Sequence, residues 1–209
     1  MIETLTLGDR PTRDALFDQM HSDRKRVFVD WLKWEVPHSG GQEVDRFDDE
    51  HATYLVVRDD ADGRHLGSVR LLETERPHIL SELFPGLCQG GVPRGPLLRE
   101  ITRMCVSPDC PPDSRLHVRR TLVGALARHA LAAGLIGYTA VTDVGFMARV
   151  ASVGWRCRAL GLPEQTLGGE SLAALLIEID DDTVDAIREA GAYVEGAWGR
   201  LGVLERVSA

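Results

Sequence analysis

Two apolar runs joined by a short turn constrain the fold of this chain more than any other segment. ATYLVVR spans Ala52–Arg58 and HLGSVRLLET spans His65–Thr74, and both contain aliphatic and β-branched residues that favour strands. The segment between them begins with DDADG, whose Asp and Gly residues suit a hairpin turn. The sequence therefore predicts an antiparallel hairpin, and with it a β-sheet.

The rest of the chain adds further strand-like and helix-like patterns. We predict strands at 2–7, 97–106, 138–142 and 171–179, and helices at 12–31, 79–84, 115–133, 144–152 and 181–190. This order is typical of an α/β fold, here a three-layer mixed twisted sheet with helices on both faces. Because 209 residues with 44% hydrophobic content are enough for one core, we predict a single domain over 1–209.

Net charge excludes one class of function. The chain carries a formal charge of −8, whereas a general nucleic-acid binder needs Lys and Arg to neutralise phosphates. The charge is uneven along the chain, with a local balance of +5 over 113–160 and −7 from 161 to the end. The basic segment either steers a small acidic partner or consists of solvated arginines scattered on helix faces.

The sequence shows neither a targeting signal nor a metal-binding motif. MIETLTLGDRPTRD has no basic region followed by an apolar one, and no apolar run approaches the length of a membrane span. We therefore predict a cytoplasmic protein without a membrane span. The four cysteines form no CxxC pair and no zinc-like set with the seven histidines, so we predict neither a disulfide framework nor a metal site.

The segment GQEVDRFD, residues 41–48, is predicted to be an acidic loop whose carboxylates pair with basic side chains. It carries Glu43, Asp45 and Asp48, and arginines occur in three other segments. On a regular strand, Glu100 and Arg103 point to opposite faces, so a joint role requires a bulge, twist or sheet edge. The alternatives are that these charges are ordinary surface ions, or that they only tie the loop to the sheet.

A larger ordered set of residues resembles a known family. The set comprises Arg24, Phe28, Trp34, GQEVDRFD with Asp45 and Asp48, GSVRLL with Arg70, HILSELFP with Phe84, and EITR with Glu100 and Arg103. In this order and spacing it resembles the acyl-homoserine-lactone (autoinducer) synthases of LuxI type, as does VTDVGFMARVASVGW at 141–155. The resemblance implies a fold similar to the GNAT acyltransferases. It also implies S-adenosyl-L-methionine as amine donor and acyl carrier protein or acyl-CoA as acyl donor, without a metal or redox cofactor.

The resemblance also implies roles for the motif residues. Glu100 is the expected general base, because the donor's α-amine must lose a proton before it attacks a thioester. Asp45, Asp48, Arg70 and Arg103 are expected to form an ion-pair network that fixes the amino-acid end of the donor. The remaining expected substrate contacts are Arg24, Phe28, Trp34, Phe84 and Thr102, with an aromatic face attracting the sulfonium.

Three positions depart from the family pattern. Arg99, Thr102 and Met104 replace the tryptophan, serine and phenylalanine common there. Because methionine is thin and flexible, Met104 predicts a pocket remodelled towards a longer or otherwise unusual acyl group. Thr142 resembles a position whose hydroxyl favours 3-oxo chains in some members, so we hypothesise a 3-oxo or 3-hydroxy preference.

Two alternative functions stay open at the level of sequence. A GNAT-type N-acetyltransferase using acetyl-CoA normally places a glycine-rich turn before a helix to bind pyrophosphate. PPDSRLHVRRTLVG occupies the corresponding place and carries arginines without that glycine pattern. The second alternative is a non-catalytic homologue that binds a carrier or ligand, which the retained charged motif residues disfavour.

Carrier docking is the prediction that the basic segment generates. The arginines concerned are Arg115, Arg119, Arg120, Arg149, Arg156 and Arg158. Reversing Arg119 and Arg120 to Glu should raise the Michaelis constant for acyl carrier protein about tenfold, because rim charges steer a charged partner. Steady-state kinetics measure this, and an unchanged constant would place docking elsewhere.

Overall fold

The computed structural model describes residues 1–165 and 171–196 and builds them around one large sheet. The strands are β1 (Ile2–Thr6), β2 (His38–Ser39), β3 (Gln42–Glu43), β4 (Thr53–Arg58), β5 (His65–Glu73), β6 (Leu98–Val106), β7 (Gly137–Asp143), β8 (Arg156–Ala159), β9 (Glu164–Gln165) and β10 (Ser171–Glu178). The sheet runs β1-β4-β5-β6-β7-β10-β8, with β9 also paired to β10. β2 and β3 form a separate two-stranded sheet.

The predicted hairpin lies at the centre of one half of this sheet. β4 and β5 pair antiparallel, and β6 continues the antiparallel order on the other side of β5. β6 and β7 are parallel, so the chain crosses over between them through a long helix. The mixed sheet predicted from the sequence is confirmed.

Helices cover both faces of the sheet. They are α1 (Arg10–Arg24), α2 (Ile79–Leu83), α3 (Pro112–Ala133), α4 (Val144–Ala151) and α5 (Thr183–Glu189). α3 packs on β4, β5 and β6, and its side chains share a buried core with strand residues such as Val69 and Leu71. α1 packs on β5 from the other face, where a second core surrounds Phe17 and Tyr54. The three layers predicted from the sequence are therefore present.

The helix predicted over 12–31 is not uniform. It is α-helical to Arg24 and π-helical over Lys25–Trp31, and Lys33 then adopts a positive φ of 59°. A π-helical turn is wider than an α-helical one and commonly occurs at functional sites. β2, β3, β8 and β9 were not predicted, because each has four residues or fewer and no apolar alternation.

No helix in the described part of the chain is both long and apolar enough to cross a membrane. The prediction of a single domain over 1–209 extends beyond the described residues and stays a prediction.

The start of β7 has no space for a side chain. A Cβ on Gly137 would lie 2.6 Å from the backbone oxygen of Ile177 on β10. Gly137→Ala should therefore destabilise the protein by about 1–3 kcal/mol, the usual cost of overpacking. Gly90→Ala is the matched control, because a Cβ there meets no atom within 4 Å. Urea unfolding of both variants measures the difference, and equal stabilities would contradict this packing.

Candidate active site

A β-bulge in β6 brings the predicted site residues onto one face of the sheet. Ser68 pairs with Cys105 and Arg70 with Thr102, so two β6 residues, Arg103 and Met104, oppose one β5 residue. Arg103 has a φ of 51°, which is rare for a residue with a side chain. The bulge re-aims Arg103 to the side of Arg70 and Thr102, which a regular strand would not allow.

Arg70 joins the sheet to the acidic loop. Its guanidinium donates to both carboxylate oxygens of Asp45, at 2.7 and 3.0 Å, and its Nε donates to Thr102 Oγ1 at 3.0 Å. Its Nη1 also lies 2.8 Å from Asp48 Oδ1. The predicted contact of Arg70 with Asp45 and Asp48 is present.

Arg24 reaches the same loop from α1. It donates to both oxygens of Asp48, at 2.7 and 2.9 Å, and to Glu43 Oε2 at 2.6 Å. Tyr54 O–H also donates to Asp48 at 2.8 Å. Because Arg24 is only 1% exposed, it lies inside the ion-pair network rather than on an open pocket wall.

Arg103 completes the network through Glu43. Its Nη2 donates to Glu43 Oε1 at 3.1 Å and to Asp45 Oδ2 at 3.0 Å. Glu43 thus binds two arginines, as expected of an acid in the GQEVDRFD loop, although Glu43 was not among the residues predicted for the site. Three buried arginines balance three buried carboxylates, so the network is electrically neutral.

The arginines of this network determine the protonation state of Asp48. Burial works against the charge of Asp48, but Arg70 and Arg24 outweigh it and hold the pKa of Asp48 well below its usual range. Such a carboxylate cannot take up a proton near neutral pH. Asp48 is therefore an anchor for arginines and not a base.

Glu100 has the opposite electrostatics. It is 0% exposed, and burial raises the pKa of its carboxyl to about 7, although backbone N–H groups of Leu80 and Ile79 and the charges of Arg70 and Arg103 favour the ionised form. Its Oε1 accepts from the Leu80 N–H at 2.8 Å, whereas Oε2 has no hydrogen-bond partner in the described part of the chain. A carboxylate with this pKa and a free oxygen suits proton transfer at neutral pH.

Glu100 lies where the sheet splits. The β6–β7 ladder has four rungs and ends at Ile101 and Ala140, after which β6 follows β5 and β7 follows β10. Beyond this point the facing edges of β6 and β7 are unpaired with each other. Glu100 and the bulge therefore lie next to each other at this opening.

The predicted aromatic residues lie beside the network. Phe28 and Trp34 stack with ring centroids 4.9 Å apart, and the Arg103 guanidinium lies 5.5 Å from the Phe28 ring. Phe84 follows α2 and packs on the apolar cluster that contains Leu80, whose N–H binds Glu100. Phe28 and Trp34 therefore lie beside Arg103 and Phe84 lies on the α2 side, and the roles of all three toward a substrate stay predictions.

Two predicted acyl-pocket residues lie away from Glu100. Met104 packs against the core beneath α3, on the other face of the sheet. Thr142 pairs with Ala173 and alternates with Val141, which packs on the α2 side. The roles of Met104 and Thr142 in acyl selection stay predictions.

The six arginines predicted to dock a carrier fall into two groups. Arg115 donates to the backbone oxygens of Cys110 and Pro108, while Arg156 pairs with Asp180 and Arg158 with Glu178. Three have no carboxylate partner among the described residues, namely Arg119, Arg120 and Arg149. These three carry the remaining positive charge of the predicted surface.

Sequence comparison matches most of the chain to one family. A family model described as autoinducer synthase matches residues 10–187. An acyl-homoserine-lactone synthase of Ralstonia nicotianae is 33% identical over 202 residues, covering 92% of this chain and 97% of that protein.

Solved structures agree with the sequence match. The CoA-dependent acyl-homoserine lactone synthase MesI has a TM-score of 0.81 at 26% identity, covering 93% of this chain and 96% of MesI. BjaI, solved with SAM and isopentyl-CoA, has a TM-score of 0.81 at 28% identity, with coverage of 91% and 89%. An acyl-CoA N-acyltransferase of Pseudomonas aeruginosa, 17% identical with a TM-score of 0.56, shares the fold alone, covering 84% of this chain and 98% of its own. The predicted GNAT-like fold is confirmed.

The raised pKa of Glu100 predicts a pH-dependent stability difference. Between its ordinary value of 4.5 and about 7, the folded chain binds more protons at Glu100 than the unfolded chain, so stability falls as pH rises through this window. Glu100→Gln removes the ionisable carboxyl, so the variant does not lose this stability as the pH rises. The free energy of unfolding of the variant relative to wild type should therefore rise by about 2 kcal/mol from pH 5 to pH 8.

Denaturant unfolding at the two pH values measures this change. Glu189→Gln is the control, because its carboxyl is exposed on α5 and its difference from wild type should stay constant. A pH-independent difference for Glu100→Gln would contradict the burial of an ionisable carboxyl at this position.

Proposed function

This chain belongs to the autoinducer synthase family, and on that premise we propose that it makes an N-acyl-L-homoserine lactone. The substrates are S-adenosyl-L-methionine and an acyl thioester of acyl carrier protein or CoA, and 5′-methylthioadenosine is released. The observation that carries the proposal is Glu100, a buried carboxyl with a pKa near 7 and one free oxygen at the split in the sheet. The structure of BjaI with SAM and isopentyl-CoA supports S-adenosyl-L-methionine as the amine donor and an acyl thioester as the acyl donor.

The first chemical step is acylation of the donor's amine. Glu100 first accepts a proton from the donor's ammonium group, directly or through one water. The neutral amine nitrogen then attacks the thioester carbon and the carbon–sulfur bond breaks, and the nitrogen proton released by acylation leaves on the carrier thiol. Backbone N–H groups on the unpaired edge of β6 beyond Ile101 are suited to stabilise the oxyanion, because they face the split.

The second step closes the lactone. A carboxylate oxygen of the donor attacks the carbon next to the sulfonium, and the carbon–sulfur bond breaks to release neutral methylthioadenosine. No proton is transferred in this displacement. The protein therefore promotes it mainly by holding the donor in a folded conformation, with its carboxylate close to the carbon that it attacks. The charge-balanced network suits this task, because Arg70 and Arg103 are fixed by carboxylates and cannot rearrange freely.

The stacked pair Phe28 and Trp34 completes the proposed donor site. An aromatic face attracts a sulfonium as it attracts other cations, and the pair lies against Arg103 at the edge of the network. The acyl chain enters the split next to Glu100 and Phe84. Its length and its 3-position substituent, linked above to Met104 and Thr142, stay predictions, as does location in the cytoplasm, which cell fractionation would test.

Product analysis tests the proposal directly. Incubation with S-adenosyl-L-methionine and panels of acyl carrier protein and acyl-CoA thioesters should give lactone and methylthioadenosine together, detected by mass spectrometry. The panel varies chain length and 3-position oxidation, so it also reads acyl preference. Glu100→Gln should lower turnover about 100-fold or more, because a general base is lost, whereas Glu189→Gln should keep wild-type turnover.

Other outcomes would contradict the synthase function in distinguishable ways. Acetylated amines formed from acetyl-CoA without methylthioadenosine would indicate an N-acetyltransferase. Binding of donor or carrier without either product across the panel would indicate a non-catalytic homologue.

A further inference from the structure

Thr139 lies directly opposite Glu100 on the neighbouring strand β7. In the parallel β6–β7 ladder Glu100 pairs with Thr139, one rung before the ladder ends at Ile101 and Ala140. Directly paired residues of neighbouring strands project their side chains from the same face. Both side chains therefore face α2 at the edge of the split.

Both side chains carry a buried polar atom without a partner. Glu100 Oε2 and Thr139 Oγ1 have no hydrogen-bond partner among residues 1–165 and 171–196, and both residues are 0% exposed. Buried polar groups are almost always hydrogen-bonded, because leaving one unpaired is costly. A carboxylate oxygen accepts and a hydroxyl both donates and accepts, so one small polar molecule between them satisfies both.

The other oxygen of Glu100 is already fixed. Oε1 accepts from the Leu80 N–H, so the carboxyl has one anchored side and one side free for chemistry. Arg70 on β5, Arg103 on β6 and Cys88 after α2 are the other charged or titratable groups that act on this carboxyl in the described chain. None of them binds Oε2. Thr139 shares the rung and the sheet face of Glu100, and its hydroxyl is likewise unpartnered among the described residues.

We propose that Thr139 is a positioning residue for the general base, and that its hydroxyl and Glu100 Oε2 together hold the water that relays the amine proton. The proposal rests on the synthase function proposed above. It deepens that function by naming the group that fixes the proton path.

The relay conserves every atom. The ammonium N–H proton of the donor passes to the water oxygen while a proton of the same water passes to Glu100 Oε2. The products are a neutral amine, a carboxylic acid and an intact water. The Thr139 hydroxyl keeps its own proton and only orients the water, so its loss should slow proton transfer without removing the base.

Thr139→Val tests this role, because valine keeps the β-branched shape and removes only the hydroxyl. Without a polar neighbour the ionised carboxylate is less favourable, so the acid limb of the kcat/KM profile should move up by about one pH unit. At pH 7 kcat/KM should fall about tenfold. The solvent isotope effect should also change. Thr139→Ser should restore both the profile and the isotope effect.

Thr4→Val is the matched control. Thr4 also lies on a strand with a buried, unpartnered hydroxyl, but on β1 at the far edge of the sheet, so it should behave as wild type. Thr139→Ala replaces the valine variant if circular dichroism shows that the latter does not fold.

Three results would overturn the proposal for Thr139. These are an unchanged profile in the hydroxyl-free variant, an equal loss of rate at every pH, and failure of Thr139→Ser to restore activity. Turnover of the wild-type protein in the same assay distinguishes the synthase function from the role of Thr139. Absence of lactone from the wild-type protein contradicts the synthase function itself, whereas wild-type turnover with an unaffected Thr139→Val contradicts the role of Thr139 alone.

Discussion

The active-site geometry depends on one interruption in the sheet, the extra residue in β6 at Arg103. It turns the arginine to the face that already carries Glu100 and Thr102, and it lies just beyond the last rung that joins β6 to β7. The bulge therefore brings the charged residues together, and it lies next to the opening between β6 and β7. The positive φ of Arg103 is held by its bonds to Glu43 and Asp45, so backbone strain and ion pairing support each other.

Two kinds of buried carboxyl result from this arrangement. Those of the acidic loop each pair with arginine, so their charge is compensated, and Arg70 and Arg24 hold the pKa of Asp48 well below its usual range. Glu100 instead accepts hydrogen bonds from backbone N–H groups and has only distant positive charges near it. The effect of burial therefore dominates and raises the pKa of its carboxyl to about 7. Asp48 and Glu100 thus differ in proton affinity through their surroundings alone.

The strands and helices with clear apolar patterns were predictable, including the β4–β5 hairpin, because local sequence determines them. The parts that depend on distant contacts were not. No glycine marks the bulge at Arg103, the π-helical turn over Lys25–Trp31 looks like ordinary helix, and β8 is short and polar. The arginine partners of Asp45 and Asp48 followed from a family resemblance. Glu43 was recognised as an acid of the loop, but its pairing with Arg103 depends on a distant contact. Thr139 became visible only when the register placed it opposite Glu100.

The closed ion-pair network also limits how such a sequence can diverge. Each of its arginines contacts two carboxylates, so replacing one charged residue leaves its partners buried and uncompensated. A variant that has lost only one of these charges is therefore strongly destabilised. Tolerated substitutions must change the paired residues together. Single substitutions are therefore better tolerated outside this network, whereas its six charged residues change only as a unit or not at all.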